Sequence, residues 1–268
     1  MTKPRLSFAL ILAAAMCTGT NAVAQTGYSD IVGYQTITLG PGYNFVGISF
    51  KNTTQDETFD IQTLFDTSKL AGGVTQLGSD QIFLWDAEDQ QYIQLWLFDS
   101  GGTYEQYDGK WIDAGTGDVA DWDVGLGDGL WYISTADEFV DVTVSGAVEM
   151  AASATHVTVV PAPGRDYSYN LVASAYPVSK PINEMDWNGF TGGVTQLGGD
   201  QIFLWDASAQ EYVQLWYFHS NGVYPAYDGK WIDTGTGDVA DASRIVACGQ
   251  ALWILKQDGT AVVQNRPF

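Results

Sequence analysis

The sequence predicts an all-β fold of two tandem, duplicated antiparallel β-sandwich or barrel-like domains, and three observations predict it. Residues 71–121 return as residues 191–241 at an offset of 120, with 38 of the 51 positions identical. A repeat of that length and fidelity is an internal duplication. Apolar residues alternate with polar ones at a period of two over short stretches, and no window sustains a 3.6-residue period. Gly, Asp and Pro gather between those stretches as turn formers do.

Taken in order, the chain opens on Lys3 and Arg5, an apolar run over residues 6–16, and Ala22-Val23-Ala24 before Gln25. That pattern predicts a secretory signal peptide over residues 1–24, with a run too short to span a bilayer. The expected address is therefore outside the cytoplasm: extracellular, cell surface or periplasmic. Loss of Lys3 and Arg5 with the leader leaves 9 basic residues against 32 acidic ones, a net charge of −23. Such a surface repels phosphate backbones and anionic lipid, so nucleic acid is disfavoured as a partner, whereas cations or neutral polymers fit. Cys17 lies within the leader, so Cys248 alone remains after processing, no internal disulfide is expected and aromatic packing must supply the stability. The expected strands are shorter than a membrane strand needs, which argues against an integral membrane barrel.

The first domain is expected over residues 25–150 and the second over 151–268, divided within the small-residue stretch 148–155. Residues 31–39 and 43–50 read as a strand pair joined at Gly40-Pro41-Gly42, and 157–160 with 169–176 as its copy. Residues 61–65 and 182–187 each suit a single helical turn. Strands are expected at 81–85 and 92–98 around the polar loop Asp86-Ala87-Glu88-Asp89-Gln90. A hairpin over 104–107 and 110–113 is expected to turn on Asp108-Gly109, a pair suited to a primed turn. Residues 129–133 and 139–144 close the unit, mirrored by 251–255 and 260–264.

The frame Gly42-Tyr-Asn-Phe-Val-Gly47, Asp80-Gln-Ile-Phe-Leu-Trp-Asp86, Val119-Ala-Asp121 and Gly127-Asp-Gly-Leu-Trp131 resembles a β-rich repeat of secreted and surface proteins from several bacterial phyla. The likeness covers nearly the whole processed chain. It departs from the usual pattern after the first motif, where Ile48-Ser-Phe50 and Ser174-Ala-Tyr-Pro177 stand in place of Asn-Pro-aromatic-Pro. The resemblance implies a β-rich fold and export, and no particular reaction.

Two candidate sites follow from the residues. Asp113, Asp118 and Asp121, copied as Asp233, Asp238 and Asp241, set three carboxylates on a glycine-bent loop, oxygen ligands of the kind Ca²⁺ takes. Such aspartates also bind their own backbone in turns. On the strand 92–97, alternation puts Tyr92, Gln94 and Trp96 opposite Ile93, Leu95 and Leu97, and the copy repeats this with Tyr212, Gln214 and Trp216. Trp111 and Trp231, beside polar neighbours, complete an expected aromatic platform for sugar rings. Burial of those rings under another layer is the competing reading.

A nucleophile-base set is not expected, because the two histidines, His156 and His219, are not duplicated. The leading expectation is an exported, non-enzymatic surface, adhesion or glycan-contacting protein. The alternatives are a secreted carbohydrate-active enzyme, which needs two carboxylates in a cleft, and a self-assembling filament or layer subunit joined by edge strands.

Overall fold

The computed structural model describes residues 31–53, 57–150, 155–157, 167–258 and 260–267. The expected signal peptide lies outside them. Repeat 1 comprises β1 (Val32–Leu39), β2 (Gly42–Gly47), β3 (Phe59–Asp60), the helical turn α1 (Ile61–Leu64), β4 (Gln81–Asp86), β5 (Gln91–Phe98), β6 (Lys110–Asp113), β7 (Asp123–Val124), β8 (Gly129–Ser134) and β9 (Val140–Ala147). Repeat 2 comprises β10 (Thr155–Val157), β11 (Ser168–Ala173), β12 (Lys180–Pro181), β13 (Trp187–Asn188), β14 (Gln201–Asp206), β15 (Glu211–Phe218), β16 (Lys230–Asp233), β17 (Ile245–Val246), β18 (Ala251–Lys256) and β19 (Val263–Asn265). A 3₁₀ turn at Ile182–Glu184 stands where repeat 1 has α1.

Each repeat is built on one five-stranded antiparallel sheet, ordered β2-β8-β4-β5-β6 in the first and β11-β18-β14-β15-β16 in the second. The fold is thus all-β and duplicated, as the sequence predicts. The registers match as well: Ile82 lies opposite Leu95 and Phe83 opposite Gln94, as Ile202 lies opposite Leu215 and Phe203 opposite Gln214.

Strand alternation sends Ile82, Leu84, Leu95, Leu97, Leu130 and Tyr132 to one face of the first sheet, where they join Leu39, Val142 and Val144 of the β1–β9 pair and Ile61 and Leu64 of α1 in one core. Ile202, Leu204, Leu215, Leu252 and Ile254 form the corresponding core of repeat 2. The helical turn has a second task. Gln62 accepts from the Trp111 amide and donates to the carbonyls of Trp111 and Ala120, which fastens the short edge strand β6. In repeat 2 Asn183 accepts from the Trp231 amide and donates to the Ala240 carbonyl.

Two local expectations are overturned. β1 does not pair with β2; it pairs with β9, while β2 pairs with β8. The Asn44 side chain, which accepts from the Gly40 amide and donates to the carbonyls of Gly40 and Gly42, stiffens the turn into a bend between separate sheets. Residues 104–107 are turn, not strand. The Asp108 carboxylate accepts from the amide and hydroxyl of Ser100 and from the Gly102 amide, winding the segment into a compact loop. Its local hydrogen bonds outcompete a two-residue hairpin, as short polar side chains often do. β6 therefore pairs with β5.

Candidate functional site

The second face of each five-stranded sheet carries large aromatic residues at its centre. Phe45, Phe83, Trp85 and Trp131 of repeat 1 meet Leu171, Phe203, Trp205 and Trp253 of repeat 2 in a third apolar cluster. The two sheets therefore close on each other along an aromatic seam, related by an approximate two-fold axis. Backbones come into contact there: the Gly47 amide donates to the Gly249 carbonyl at 2.8 Å and the Ala173 amide to the Gly127 carbonyl at 2.7 Å. A Cβ on Gly47 would stand 2.5 Å from that of Ala173, and one on Gly129 would stand 2.7 Å from that of Ala251. Ala173 and Ala251 are the repeat-2 counterparts of Gly47 and Gly129, so each contact accepts one methyl group and excludes a second.

The repeated Trp-Asp pair explains how the seam is clasped. Asp86 accepts from the amides of Glu88 and Asp89, making a tight turn that brings Gln90 into the left-handed region at φ 56°. Gln90 then donates to the Tyr169 carbonyl at 2.9 Å and accepts from the Tyr169 amide at 2.8 Å, while the Trp85 indole donates to the same carbonyl at 2.8 Å. Trp205 and Gln210 hold Tyr43 in the reciprocal way, at 3.0 Å from the indole and 3.2 Å from the amide. In both cases the clasp grips backbone, and the rings of Tyr43 and Tyr169 lie edge-on to Trp131 and Trp253 respectively.

On either side of the two-fold axis the seam opens into a cleft. One, of about 300 Å³, is lined by Trp85, Tyr92, Tyr169, Phe203, Tyr212 and Trp253. The other, of about 270 Å³, is lined by Tyr43, Phe83, Tyr92, Trp131, Ile133 and Tyr212. Tyr92 and Tyr212 belong to both, with 47% and 43% of their surface exposed. Burial pushes the Tyr92 phenol above its ordinary value, partly offset by the Trp131 indole. Burial likewise pushes Tyr212 up to about 12, against an opposing effect of the Trp253 indole. Both phenols are therefore neutral hydrogen-bonding groups at physiological pH.

Of the residues expected in a sugar platform, Tyr92 and Tyr212 lie at these clefts. Gln94 donates to Gln81 at 2.7 Å and Gln214 to Gln201 at 2.6 Å, within their own sheets. Trp96 and Trp216 lie on the same face farther from the axis, half-buried, Trp96 edge-on to Phe98. Trp111 and Trp231 are not with them. Leu97 lies opposite Trp111 and Tyr217 opposite Trp231, so both tryptophans point into the repeat cores and are buried. Their placement on the polar face is corrected by that register, since cross-strand partners share a face.

The aspartate loops are also accounted for. Asp113 accepts from the amides of Gly115 and Thr116 and from the Trp122 indole. Asp233 accepts from the Gly235 amide and pairs with Arg244 at 2.7 Å, and Asp241 caps Ser243. The amides of Asp118 and Asp238 donate to the hydroxyls of Thr116 and Thr236. Among the described residues no group of three or more His, Cys, Asp or Glu side chains is gathered to hold a metal ion, so Asp113, Asp118 and Asp121 are not brought together, nor are Asp233, Asp238 and Asp241. No helix among the described residues is long and apolar enough to cross a membrane.

The seam residues Tyr43, Trp85, Gln90, Trp131, Tyr169, Trp205, Gln210 and Trp253 were not among the sequence candidates. A signal for them exists in the unbroken apolar run Ile82-Phe83-Leu84-Trp85, which marks a strand covered on both faces. No protein-family model, curated protein or solved structure matches the chain.

Proposed function

We propose that the chain is an exported, non-enzymatic glycan-contacting protein that stacks sugar rings in the two aromatic clefts of its seam. The observation that carries this reading is the pair of open clefts walled by tryptophan, phenylalanine and tyrosine, with two neutral tyrosines at their common edge. Concave, mainly aromatic surfaces with a few convergent polar groups are where small molecules bind. Sugar rings suit such walls, because their C–H faces lie on aromatic carbon while their hydroxyls meet the phenols. A glycosidase would need two carboxyl groups flanking the bond to be cut. The cleft walls offer phenols and indoles instead.

Binding of the purified chain to a glycan array, followed by incubation of each retained glycan with the protein, tests this reading. Retention without turnover is expected, with loss of retention in the Tyr92→Ala, Tyr212→Ala variant while its thermal melt stays cooperative. Release of reducing ends would transfer the assignment to the carbohydrate-active enzyme class, and an unchanged Tyr92→Ala, Tyr212→Ala variant would move the site elsewhere.

A further inference from the structure

We infer that the two clefts form one continuous site for a single uncharged glycan strand whose rings carry equatorial hydroxyls, laid across Tyr92 and Tyr212. The inference rests on the glycan-contacting reading above and goes on to name the ligand class and its stoichiometry.

Tyr92 and Tyr212 line both clefts and form the ridge they share, with 47% and 43% of their surface exposed for a strand to lie across. At about 300 and 270 Å³ each cleft sits at or below the small end of ligand pockets, which begin at roughly 300 Å³. Together they suit a strand of several rings. Joining two weak contacts through one strand makes the second contact intramolecular, which raises affinity without any new interaction.

Charge selects among glycans. Among the described residues no Asp, Glu, Lys, Arg or His lines either cleft, so a charged sugar finds no ion pair there. The acidic balance of the whole chain, 32 Asp and Glu against 11 Lys and Arg, repels uronate, phosphate and sulfate groups besides. The walls supply flat aromatic surface. A pyranose with its hydroxyls equatorial presents an unbroken C–H face to such a surface, whereas an axial hydroxyl lifts the ring away from it. Because the two clefts are related by a two-fold axis, they read the ring face and not the direction of the strand.

Calorimetry on the full chain with β-linked glucose oligomers of increasing length tests this. The expected result is one ligand per chain for the longer oligomers, with affinity rising roughly 100-fold once an oligomer spans both clefts, and no change on raising the salt concentration. Tyr169→Ala and Tyr43→Ala each remove a ring from one cleft while keeping the backbone clasp, and each should return a long oligomer to the affinity of a short one at unchanged stoichiometry. Two ligands per chain with no dependence on length would overturn the inference and leave the glycan reading standing. So would tighter binding of polygalacturonate, of glucosamine oligomers or of α-linked mannose oligomers. Failure of every glycan to bind removes both readings together.

Discussion

Lys256 Nζ meets Asp200 Oδ2 at 2.5 Å with both side chains fully buried. In repeat 1 the matching acid, Asp80, accepts instead from the Tyr132 hydroxyl at 2.5 Å. The two repeats have kept a buried carboxylate at the start of the same strand and satisfied it from different positions on the neighbouring one, with a charge in one repeat and a hydroxyl in the other. The Lys256 ammonium also reaches the Gly189 carbonyl and Asp258, so all its capacity is used inside the repeat.

Breaking a buried ion pair from one side costs about 3–5 kcal/mol, because the remaining charge stays buried and unpaired. Lys256→Met should show a loss of that size in urea denaturation. Tyr132→Phe should lose about 1–3 kcal/mol, the cost of leaving an acceptor short of a donor. Equal losses in the two variants would mean that the buried ion pair contributes no more than the hydroxyl hydrogen bond that replaces it.

The Gly129 contact with Ala251 predicts a compensating pair. Gly129→Ala overpacks the seam and should cost about 1–3 kcal/mol, read from the denaturation midpoint. Ala251→Gly introduced beside it should recover part of the loss by removing the methyl group at 2.7 Å, while the Val172 amide nitrogen at 3.0 Å keeps the rest. Simple additivity of the two single effects would show that the sheets do not meet at this distance.

Tryptophans on the two faces of the same sheet should behave differently. Trp111→Ala empties a core position and should cost about 3–5 kcal/mol. Trp96→Ala, at a half-buried site, should cost less than half of that. Because the Trp111 indole N–H is buried without a hydrogen-bond partner among the described residues, Trp111→Phe removes an unsatisfied donor and should cost well under the alanine variant. Melts of the three variants decide the order, and a Trp96→Ala variant as unstable as Trp111→Ala would place both rings in the core.

Alkaline titration should single out the seam tyrosines. A phenol raised by burial to about 12, as Tyr212 is from its ordinary 10.0, stabilises the folded chain fully below pH 10, where both states keep the proton. Above that the unfolded chain releases its proton first, so this stabilisation falls as pH rises and is gone above the folded value of about 12. Tyrosinate absorbance should therefore rise in two stages, and the Tyr212→Phe variant should lack part of the later one. A single transition near the ordinary value would show that Tyr212 is open to water.

Much of this architecture was legible in the residues, and the misses share a cause. The duplication, the two-residue period and the opposition of Tyr92, Gln94 and Trp96 to Ile93, Leu95 and Leu97 are local properties of sequence. The partners of a strand are not. Gly40-Pro41-Gly42 looks like a hairpin turn, yet β1 finds β9 about a hundred residues later, paired from Val32 opposite Ala147 to Leu39 opposite Val140. Asp108-Gly109 looks like another, yet Asp108 spends its carboxylate on Ser100 and Gly102. Trp111 reads as polar-faced from its neighbour Asp113, yet both share the face of Leu95 and Leu97, which is the core one. The seam was hidden for a further reason: alternation shows that a strand has two faces, but not that the second repeat covers the outer one.

Trp85 lies 4.9 Å from Trp253 with their rings 89° apart, and Trp131 lies 5.0 Å from Trp205 at 76°. Each pair joins one repeat to the other, and indoles this close couple their electronic transitions. The coupled pairs give the seam an optical signature of its own, a couplet of opposite-signed bands in circular dichroism that neither sheet produces alone. If the two sheets separate while each keeps its strands, that couplet vanishes and the backbone signal stays, so the order in which seam and cores come apart can be read from the native chain without a label.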